Sequence, residues 1–339
     1  MSKIGVLGAG TWGTALAYML CSNGHEVTLW SALPHELEAL QSTRKHPNLP
    51  GMELPDAMRY TADISSICTD KDVLLFAVPS VFLRSTVHST LPWLADGQLI
   101  VDVAKGIEPD TLFTMSEIIT SEIATRPGLE NVRVVALSGP THAEEVAVDL
   151  PTTIVASCSD LAAAEKVQDI FMNHRFRVYT NNDTIGVELG GAVKNIIALA
   201  CGIAHGLGYG DNASAALITR GAAEIARLAL TCGGKATTIA GLAGIGDLIV
   251  TCTSMHSRNF RAGIMLGQGK KRDEALQAVG MVVEGINALP GVCALAAKHQ
   301  VEMPIVDTVN EVVNGTMTAR SAVDYLMSRE KTTEFYGQE

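Results

Sequence analysis

Ile4-Gly-Val-Leu-Gly-Ala-Gly-Thr-Trp-Gly13 is the most informative stretch of the chain, because an apolar strand runs directly into a glycine pattern at the opening of a helix. Gly8, Gly10 and Gly13 spell G-x-G-x-x-G. In a first βα unit these glycines allow a tight turn, let the backbone approach a pyrophosphate and let the helix pack closely on the strand. Phosphates would lie at the helix N-terminus, where free N–H groups and the helix dipole favour anions. The stretch predicts a dinucleotide site, and the alternative is a glycine-rich turn that binds nothing.

The rest of the first half alternates short apolar runs with longer amphipathic ones, a pattern typical of βα units that cover a mostly parallel sheet. Predicted helices lie between the strands, with Asp63, Ser80 and Asp160 as candidate N-caps. The predicted strands are Ile4–Leu7, Glu26–Trp30, Val73–Val78, Leu99–Val103, Val132–Leu137, Thr152–Ala156 and Phe176–Tyr179.

From about Asp183 onward, strand signals nearly vanish and Ala-rich segments with helical spacing replace them. A chain of 339 residues is long enough for about two domains. We therefore predict an α/β fold: a Rossmann-like, doubly wound dinucleotide-binding domain over residues 1–185, followed by an all-helical substrate-binding and catalytic domain over residues 186–339. The absence of a Pro/Ser-rich linker predicts that the two pack against each other.

Composition limits the classes of partner. The formal net charge of −11 disfavours a broad nucleic-acid footprint. The charged fraction of only 18% indicates a surface with few charges, which is compatible with a homo-oligomeric interface. Seven scattered cysteines without a C-x-x-C pair or a His-rich partner predict a reduced, cytoplasmic setting and no metal site. No apolar run is expected to reach the roughly 18 residues of a membrane span, and the N-terminus lacks a signal-peptide pattern.

The end of the second strand normally reads the adenosine ribose, with an acidic residue for NAD or a nearby Arg for NADP. Here the strand ends in Trp30-Ser31-Ala32-Leu33, which offers neither, and His35 is the nearest ionisable residue ahead. Ser31 could bond a 2′-hydroxyl or a 2′-phosphate weakly. We therefore expect the protein to accept both NAD and NADP.

Ligands of a doubly wound sheet bind at the carboxyl ends of its strands, so the residues that follow each strand are candidates for function. Lys105-Gly106 follows one strand, as either a ligand contact or a solvated loop lysine. Ser138-Gly-Pro-Thr-His-Ala-Glu144 follows another. Thr141 and Glu144 have capping-box spacing, which predicts a helix start with N–H groups near the nicotinamide end of a cofactor.

Lys194 lies in an apolar segment whose small residues Gly186, Gly190 and Gly191 would let the helix approach another backbone closely. Burial lowers the pKa of a lysine, and a second cation such as Lys105 would lower it further, so that the amine could act as a base near neutral pH. The alternative is a lysine that extends to the surface.

A second polar group follows in the helical half. Asp247 stands among glycines, and Ser257-Arg-Asn259 opens a predicted helix. Ser257 is a favourable N-cap, Arg258 offers a bidentate guanidinium, and the helix start adds N–H donors, a combination that suits a phosphate. The alternative is a surface arginine beside an ordinary cap.

These blocks together resemble the bacterial NAD(P)-dependent glycerol-3-phosphate dehydrogenases, nearly over the full length and in the same order. The resemblance implies an oxidoreductase that interconverts sn-glycerol 3-phosphate and dihydroxyacetone phosphate for glycerophospholipid synthesis, in the cytoplasm and usually as a dimer. It rests on the blocks Gly8-Ala-Gly-Thr-Trp-Gly-Thr-Ala15, Ser138-Gly-Pro-Thr-His-Ala143, Gly190-Gly-Ala-Val-Lys-Asn-Ile-Ile197, Ala216-Leu-Ile-Thr-Arg-Gly221, Gly246-Asp247 and Ser257-Arg-Asn259.

The resemblance also implies roles for single residues. It assigns the general acid/base to Lys194, with Lys105 and Asp247 assisting it. Implied substrate contacts are Lys105, Gly139, Thr141, Lys194, Asp247, Ser257, Arg258 and Asn259. Implied cofactor contacts, beside the glycine motif, are Thr11, Trp12, Ala32, Lys105, Ala143, Arg258, Val282 and Glu284, although the family often has a basic residue near Ala32.

Two other functions stay open from the residues alone. A related dehydrogenase of 3-hydroxy acids, or a ketopantoate-type reductase, could use a similar fold and a Lys-Asn pair, but would need a carboxylate site in place of the cap-plus-Arg phosphate site. A non-catalytic NAD-binding sensor is the alternative outside the enzymes.

Overall fold

A computed structural model describes residues 1–334 and places one eight-stranded sheet in the first half of the chain. Its strands are β1 (Lys3–Leu7), β2 (Glu26–Trp30), β3 (Arg59–Thr61), β4 (Val73–Phe76), β5 (Leu99–Asp102), β6 (Arg133–Ser138), β7 (Thr152–Ser157) and β8 (Phe176–Asn181). Their order is β3-β2-β1-β4-β5-β6-β7-β8, and every neighbouring pair is parallel except β6 with β7. The order in which strands are added to the sheet therefore reverses between β1 and β4, the point at which a doubly wound sheet binds its ligand.

Helices cover both faces of this sheet. Alternate residues of β4 point to opposite sides, so that Leu75 packs into one apolar core and Leu74 into another. The helices of this half are α1 (Thr11–Ser22), α2 (Pro34–Thr43), α3 (Ile64–Cys68), α4 (Leu83–Thr90), α5 (Met115–Ile123), α6 (Ala143–Val146) and α7 (Leu161–Phe171).

After β8 the described chain is helical. Its helices are α8 (Thr184–Gly206), α9 (Asp211–Thr231), α10 (Ala236–Ile239), α11 (Asp247–Thr253), α12 (Arg258–Gly267), α13 (Arg272–Val279), α14 (Glu284–Lys298), α15 (Pro304–Asn314) and α16 (Ala319–Ser328). The predicted fold class, a Rossmann-type sheet followed by an all-helical part, is confirmed. The last five residues of the predicted second domain lie outside the described residues.

All seven predicted strands are present, and the prediction missed only β3 among the strands of residues 1–334. β3 has three residues, Arg-Tyr-Thr, none of them fully buried, so it carries no apolar run. Asp63 and Asp160 cap α3 and α7 as expected, with backbone N–H groups of the first turn donating to their carboxylates. The predicted cap at Ser80 is wrong, because its hydroxyl donates to Glu284.

The glycine motif has the geometry that its sequence predicts. Gly8 has φ of +121°, and a Cβ there would lie 2.6 Å from the carbonyl oxygen of Ala77. A Cβ on Gly13 would lie 2.0 Å from the carbonyl oxygen of Gly8, so any larger residue would push α1 off the strand. Nothing lies within 4 Å of a Cβ built on Gly10, which leaves open space in front of the backbone.

Helix α8 is the core of the helical half. Its 23 residues are long and apolar enough to cross a membrane by length and mean hydropathy alone, although Glu188 and Lys194 interrupt the apolar run. Its most apolar window is nevertheless entirely buried inside the protein, as in core helices of soluble proteins. Gly202 and Gly263 let α8 and α12 cross at backbone contact, because a Cβ on either would lie within 2.3 Å of a carbonyl oxygen on the other helix.

Candidate active site

A buried chain of hydrogen bonds joins the sheet half to the helical half. Lys194 on α8 donates to Oδ1 of Asp247 over 2.6 Å and to the hydroxyl of Thr251 over 2.6 Å. Lys105, which follows β5, donates to Oδ2 of the same Asp247 over 2.5 Å. The side chain of Asp247 is 1% exposed and that of Lys194 is 7% exposed, whereas Lys105 keeps 19%. One carboxylate thus binds two ammonium groups from different parts of the fold.

The electrostatics of this cluster favour a lysine that can exchange its proton. Burial lowers the pKa of Lys194 to about 8, with Asp247 opposing the shift and Lys105 adding to it. Burial acts to raise the pKa of Asp247, but the neighbouring Lys105 and Lys194 outweigh it and hold that pKa below its usual value. Asp247 therefore stays ionised near neutral pH, while Lys194 divides between ammonium and neutral amine.

Close backbone contacts place these side chains. A π-helical turn over Leu242–Gly246 leads into α11 and sets Asp247 on its first turn. Gly190 lets α8 approach this turn, since a Cβ there would lie 2.9 Å from the carbonyl oxygen of Ala243. Gly191 instead faces the side chains of Ser138 and Lys105. The glycines before Lys194 therefore serve the close approach that the sequence predicts.

A third cation, Arg258, lies at the start of α12. The hydroxyl of Ser257 accepts from the N–H of Phe260 over 3.1 Å and caps the helix as predicted. Within residues 1–334, the Arg258 guanidinium makes no hydrogen bond and no ion pair. Burial lowers the pKa of Arg258, and Glu284 and Glu144 oppose this shift. The alternative of a surface arginine is thus excluded, and a half-buried guanidinium stands beside a capped helix start.

Asn259 is more constrained than the sequence indicated. Its amide nitrogen donates to Oδ1 of Asn195 over 2.9 Å, and its oxygen accepts from the N–H of Gly285 over 2.8 Å. The residue is 8% exposed and ties α12 to α8 and to the start of α14. This arrangement holds the start of α12 in place.

Glu284 connects the first turn of α14 to the carboxyl edge of the sheet. Its carboxylate accepts from the N–H of Ser80 over 3.2 Å and from the Ser80 hydroxyl over 2.6 Å. Ser80 follows β4, beside the point where the sheet changes direction. The neighbouring Val282 is partly buried and precedes α14. The candidate site thus includes residues from helices that are distant in sequence from the glycine motif.

The segment after β6 differs from its prediction. The expected capping box of Thr141 and Glu144 does not form: the Thr141 hydroxyl donates to the carbonyl of Gly139 over 3.2 Å, and His142 occupies the N-cap position without a side-chain cap. The helix that Ala143 begins is a single turn of four residues. The helix begins one residue later than the pattern predicts, so His142 holds the N-cap position in place of Thr141.

The adenosine end of the nucleotide site also differs from expectation. Ala32 is exposed, as a surface cofactor contact would be, but Ser31 is buried and donates from Oγ to Oε2 of Glu36 over 2.7 Å. An acidic side chain is therefore present where the sequence offered only His35 as the nearest ionisable residue. Thr251 beside Lys194 and Glu36 beside Ser31 were missed by the sequence reasoning, because no motif marks them, and Ser80 was expected only as a helix cap.

The residues present fit a dinucleotide. The open space at Gly10, the tight turn at Gly8 and the free N-terminus of α1 form a cradle that larger residues would fill. Thr11 and Trp12 stand at that helix start, both partly exposed. Among residues 1–334, no group of three or more His, Cys, Asp or Glu side chains gathers in a way that could hold a metal ion.

Two family models match the chain. Residues 3–164 match the model described as NAD-dependent glycerol-3-phosphate dehydrogenase N-terminus, and residues 183–324 match the one for the C-terminus of that enzyme.

Known proteins agree with this match. A glycerol-3-phosphate dehydrogenase [NAD(P)+] from Lactobacillus delbrueckii subsp. bulgaricus is 61% identical, over 98% of this chain and 99% of its own length. One from Bacillus subtilis is 49% identical, over 98% of this chain and 96% of its own length. The crystal structure of glycerol-3-phosphate dehydrogenase from Coxiella burnetii superposes with a TM-score of 0.92 at 37% identity, covering 97% of this chain and 99% of that one.

Proposed function

The chain belongs to the NAD-dependent glycerol-3-phosphate dehydrogenase family, and we propose that it interconverts sn-glycerol 3-phosphate and dihydroxyacetone phosphate with NAD or NADP. The main support for this reaction is that Lys194 and Lys105 both donate hydrogen bonds to one buried carboxylate, that of Asp247. A lysine with a pKa of about 8 is suited to move a proton at the oxygen bonded to the carbon that gains or loses the hydride.

Lys194 is the proposed acid/base. As the neutral amine, it accepts the proton of the C2 hydroxyl during oxidation; as the ammonium, it donates a proton to the ketone oxygen during reduction. Asp247 and Thr251 hold its nitrogen in one orientation through the two hydrogen bonds described above. Lys105 stabilises negative charge that develops on the C2 oxygen. Bound NAD or NADP supplies or accepts the hydride.

The substrate phosphate is proposed to bind where α12 begins. Arg258 offers a charge-assisted contact, and Ser257 with the first N–H groups of α12 adds neutral donors. Gly139, Thr141 and Asn259 complete the proposed substrate contacts, with Asn259 acting through its place between α8 and α14. Binding energy from the phosphate then serves to position C2 beside Lys194.

The proposed cofactor contacts follow the carboxyl edge of the sheet. The glycine motif, with Gly8, Gly10 and Gly13, receives the pyrophosphate together with Thr11 and Trp12. Glu284 accepts a hydrogen bond from the Ser80 hydroxyl and lies at the same edge, beside the point where the strand order reverses. The remaining proposed contacts are Ala32, Lys105, Ala143, Arg258 and Val282.

Further proposals concern organisation and setting. We propose a dinucleotide-binding domain over residues 1–185 and a substrate-binding domain over residues 186–339, in a cytoplasmic homodimer that supplies glycerol 3-phosphate for glycerophospholipid synthesis. The change from sheet to helix between β8 and α8 supports the division. All seven cysteines are free, which supports a reducing compartment.

A substrate panel tests the proposed function. We expect the purified protein to oxidise NADH rapidly with dihydroxyacetone phosphate, and at least 100-fold more slowly in kcat/KM with ketopantoate or with 3-oxo acids, because Arg258 and the helix start match a phosphate. Absorbance at the NADH band measures the rate. Faster turnover of a carboxylate substrate would favour the related reductases, and no turnover with any substrate would favour an NAD-binding sensor.

A further inference from the structure

Glu36 stands where a Rossmann-type sheet reads the adenosine ribose. Ser31 directly follows β2 and is 5% exposed, with its backbone at the same edge as the glycine motif, since the N–H of Gly8 donates to the carbonyl of Trp30 over 2.9 Å. Its hydroxyl donates to Oε2 of Glu36 over 2.7 Å and accepts from the N–H of Leu33 over 3.1 Å. The hydroxyl proton of Ser31 is therefore already engaged in the hydrogen bond to the Glu36 carboxylate.

This arrangement changes what the strand end offers to a ligand. A free serine hydroxyl could donate to a 2′-phosphate, but a hydroxyl already bonded to Glu36 cannot donate again. Within the described part of the chain, Oε1 of Glu36 accepts no hydrogen bond, so it can accept one from a ribose 2′-hydroxyl. The first turn of α2 thus supplies the acidic acceptor that the end of β2 itself lacks.

The cationic groups nearby do not offset this carboxylate. Arg44 forms ion pairs with Glu53 and Asp56. His46 is 7% exposed, and its burial lowers the pKa of the imidazole, which favours the neutral form. Arg59 on β3 pairs with Thr28 on β2, which lies two residues before the end of β2. His35 and Lys45 are exposed side chains without ion pairs in residues 1–334.

We propose that Glu36, held by Ser31, is the specificity-determining residue that makes this enzyme prefer NAD to NADP while still accepting both. A 2′-phosphate brings about two negative charges to a carboxylate, whereas a 2′-hydroxyl brings a donor. Repulsion at a few ångströms in a partly solvated site lowers affinity by about tenfold or more. This proposal rests on the proposed function only for the identity of the cofactor, since it concerns the adenosine end and no substrate residue.

The test measures binding and turnover separately. Calorimetric titration of the wild type with NAD⁺ and with NADP⁺, in the absence of substrate, should give a Kd at least tenfold lower for NAD⁺. Glu36→Gln keeps the size of the side chain and an acceptor oxygen for Ser31, and should bring the two Kd values within about threefold. Because the effect is electrostatic, raising the salt concentration should reduce the preference of the wild type and leave the variant unchanged.

Glu38→Gln is the matched control. Glu38 lies on the same helix and is exposed, and its side chain makes no hydrogen bond or ion pair within residues 1–334, so the variant loses the same charge without the contact. It should keep the wild-type Kd ratio. The kcat/KM ratio for NADH and NADPH with dihydroxyacetone phosphate should follow the Kd ratio in all three proteins.

Three results would overturn the proposal. They are a lower Kd for NADP⁺ in the wild type, an unchanged Kd ratio in Glu36→Gln, and an equal change in Glu38→Gln. Failure of the proposed function gives a different result, because NAD⁺ would still bind with the expected preference while dihydroxyacetone phosphate is not reduced.

Discussion

Lys194→Met should lower kcat for dihydroxyacetone phosphate reduction by about 10²- to 10⁴-fold, the usual contribution of general acid–base catalysis. Methionine fills a similar apolar volume but carries no proton, and Asp247 keeps its ion pair with Lys105. Binding of NADH, measured by its fluorescence, should change less than threefold because α1 and β2 are remote from the change. Steady-state kinetics with both substrates varied provide kcat.

The control for this variant is Lys166→Met, which removes an exposed lysine from α7 and should leave kcat within twofold of the wild type. The pH dependence adds a second readout. With a pKa of about 8 for Lys194, kcat/KM for glycerol 3-phosphate oxidation should rise as pH increases through 8, since the neutral amine is the base. The reverse reaction should lose rate over the same interval. Normal turnover by Lys194→Met would remove Lys194 from this role.

Arg258→Ala should raise the KM for dihydroxyacetone phosphate by about 10- to 100-fold, the value of one charge-assisted hydrogen bond, with a smaller effect on kcat. The guanidinium stands half-buried at the start of α12 without a hydrogen-bond partner in residues 1–334, so a phosphate is its expected partner. Dihydroxyacetone lacks the phosphate. Its kcat/KM at saturating NADH, low in the wild type, should therefore be nearly unaffected by the substitution.

Arg272→Ala is the matched control, because Arg272 also begins a helix, α13, and is exposed. We expect its KM for dihydroxyacetone phosphate to equal that of the wild type. An unchanged KM in Arg258→Ala would refute the phosphate assignment. Equal losses with dihydroxyacetone and its phosphate would instead indicate a general distortion of the site.

The sequence predicts most of this fold because its signals are local. The glycine motif after β1 reports contacts within one βα unit, where Gly13 lies against Gly8, and apolar runs mark the seven longer strands. The crossing of α8 and α12 at Gly202 and Gly263 gave no such signal, since each glycine needs the other helix to explain it. Helix α8 also shows that an apolar segment of membrane-span length can be a buried core.

The site was predictable to a lesser degree, and for the same reason. Lys194 and Asp247 could be singled out because charged residues are unusual among apolar residues and glycines. The contact of Asp247 with Lys105 joins residues 142 apart in sequence, so it needs the fold. Thr251, Ser80 and Glu36 act through side chains from distant or neighbouring elements. The Thr141–Glu144 spacing predicted a capping box, but the helix begins one residue later, with His142 at the N-cap.

Net charge illustrates the difference between whole chain and site. A formal charge of −11 is unfavourable for long-range attraction of a phosphorylated ligand. The candidate site compensates for this charge locally: Lys105 and Lys194 bind a single buried carboxylate, and Arg258 lies at the start of α12. Anion binding therefore depends on these few groups, which is why their substitutions have the largest expected effects.

Transfer of isotope is the most direct measurement of the proposed reaction. The wild-type protein is incubated with dihydroxyacetone phosphate and NADH that carries deuterium at both C4 positions, and the product is analysed by mass spectrometry and proton NMR. We expect glycerol 3-phosphate with one deuterium, located on C2. Product without deuterium, deuterium at another carbon, or consumption of NADH without glycerol 3-phosphate would contradict the proposed hydride transfer.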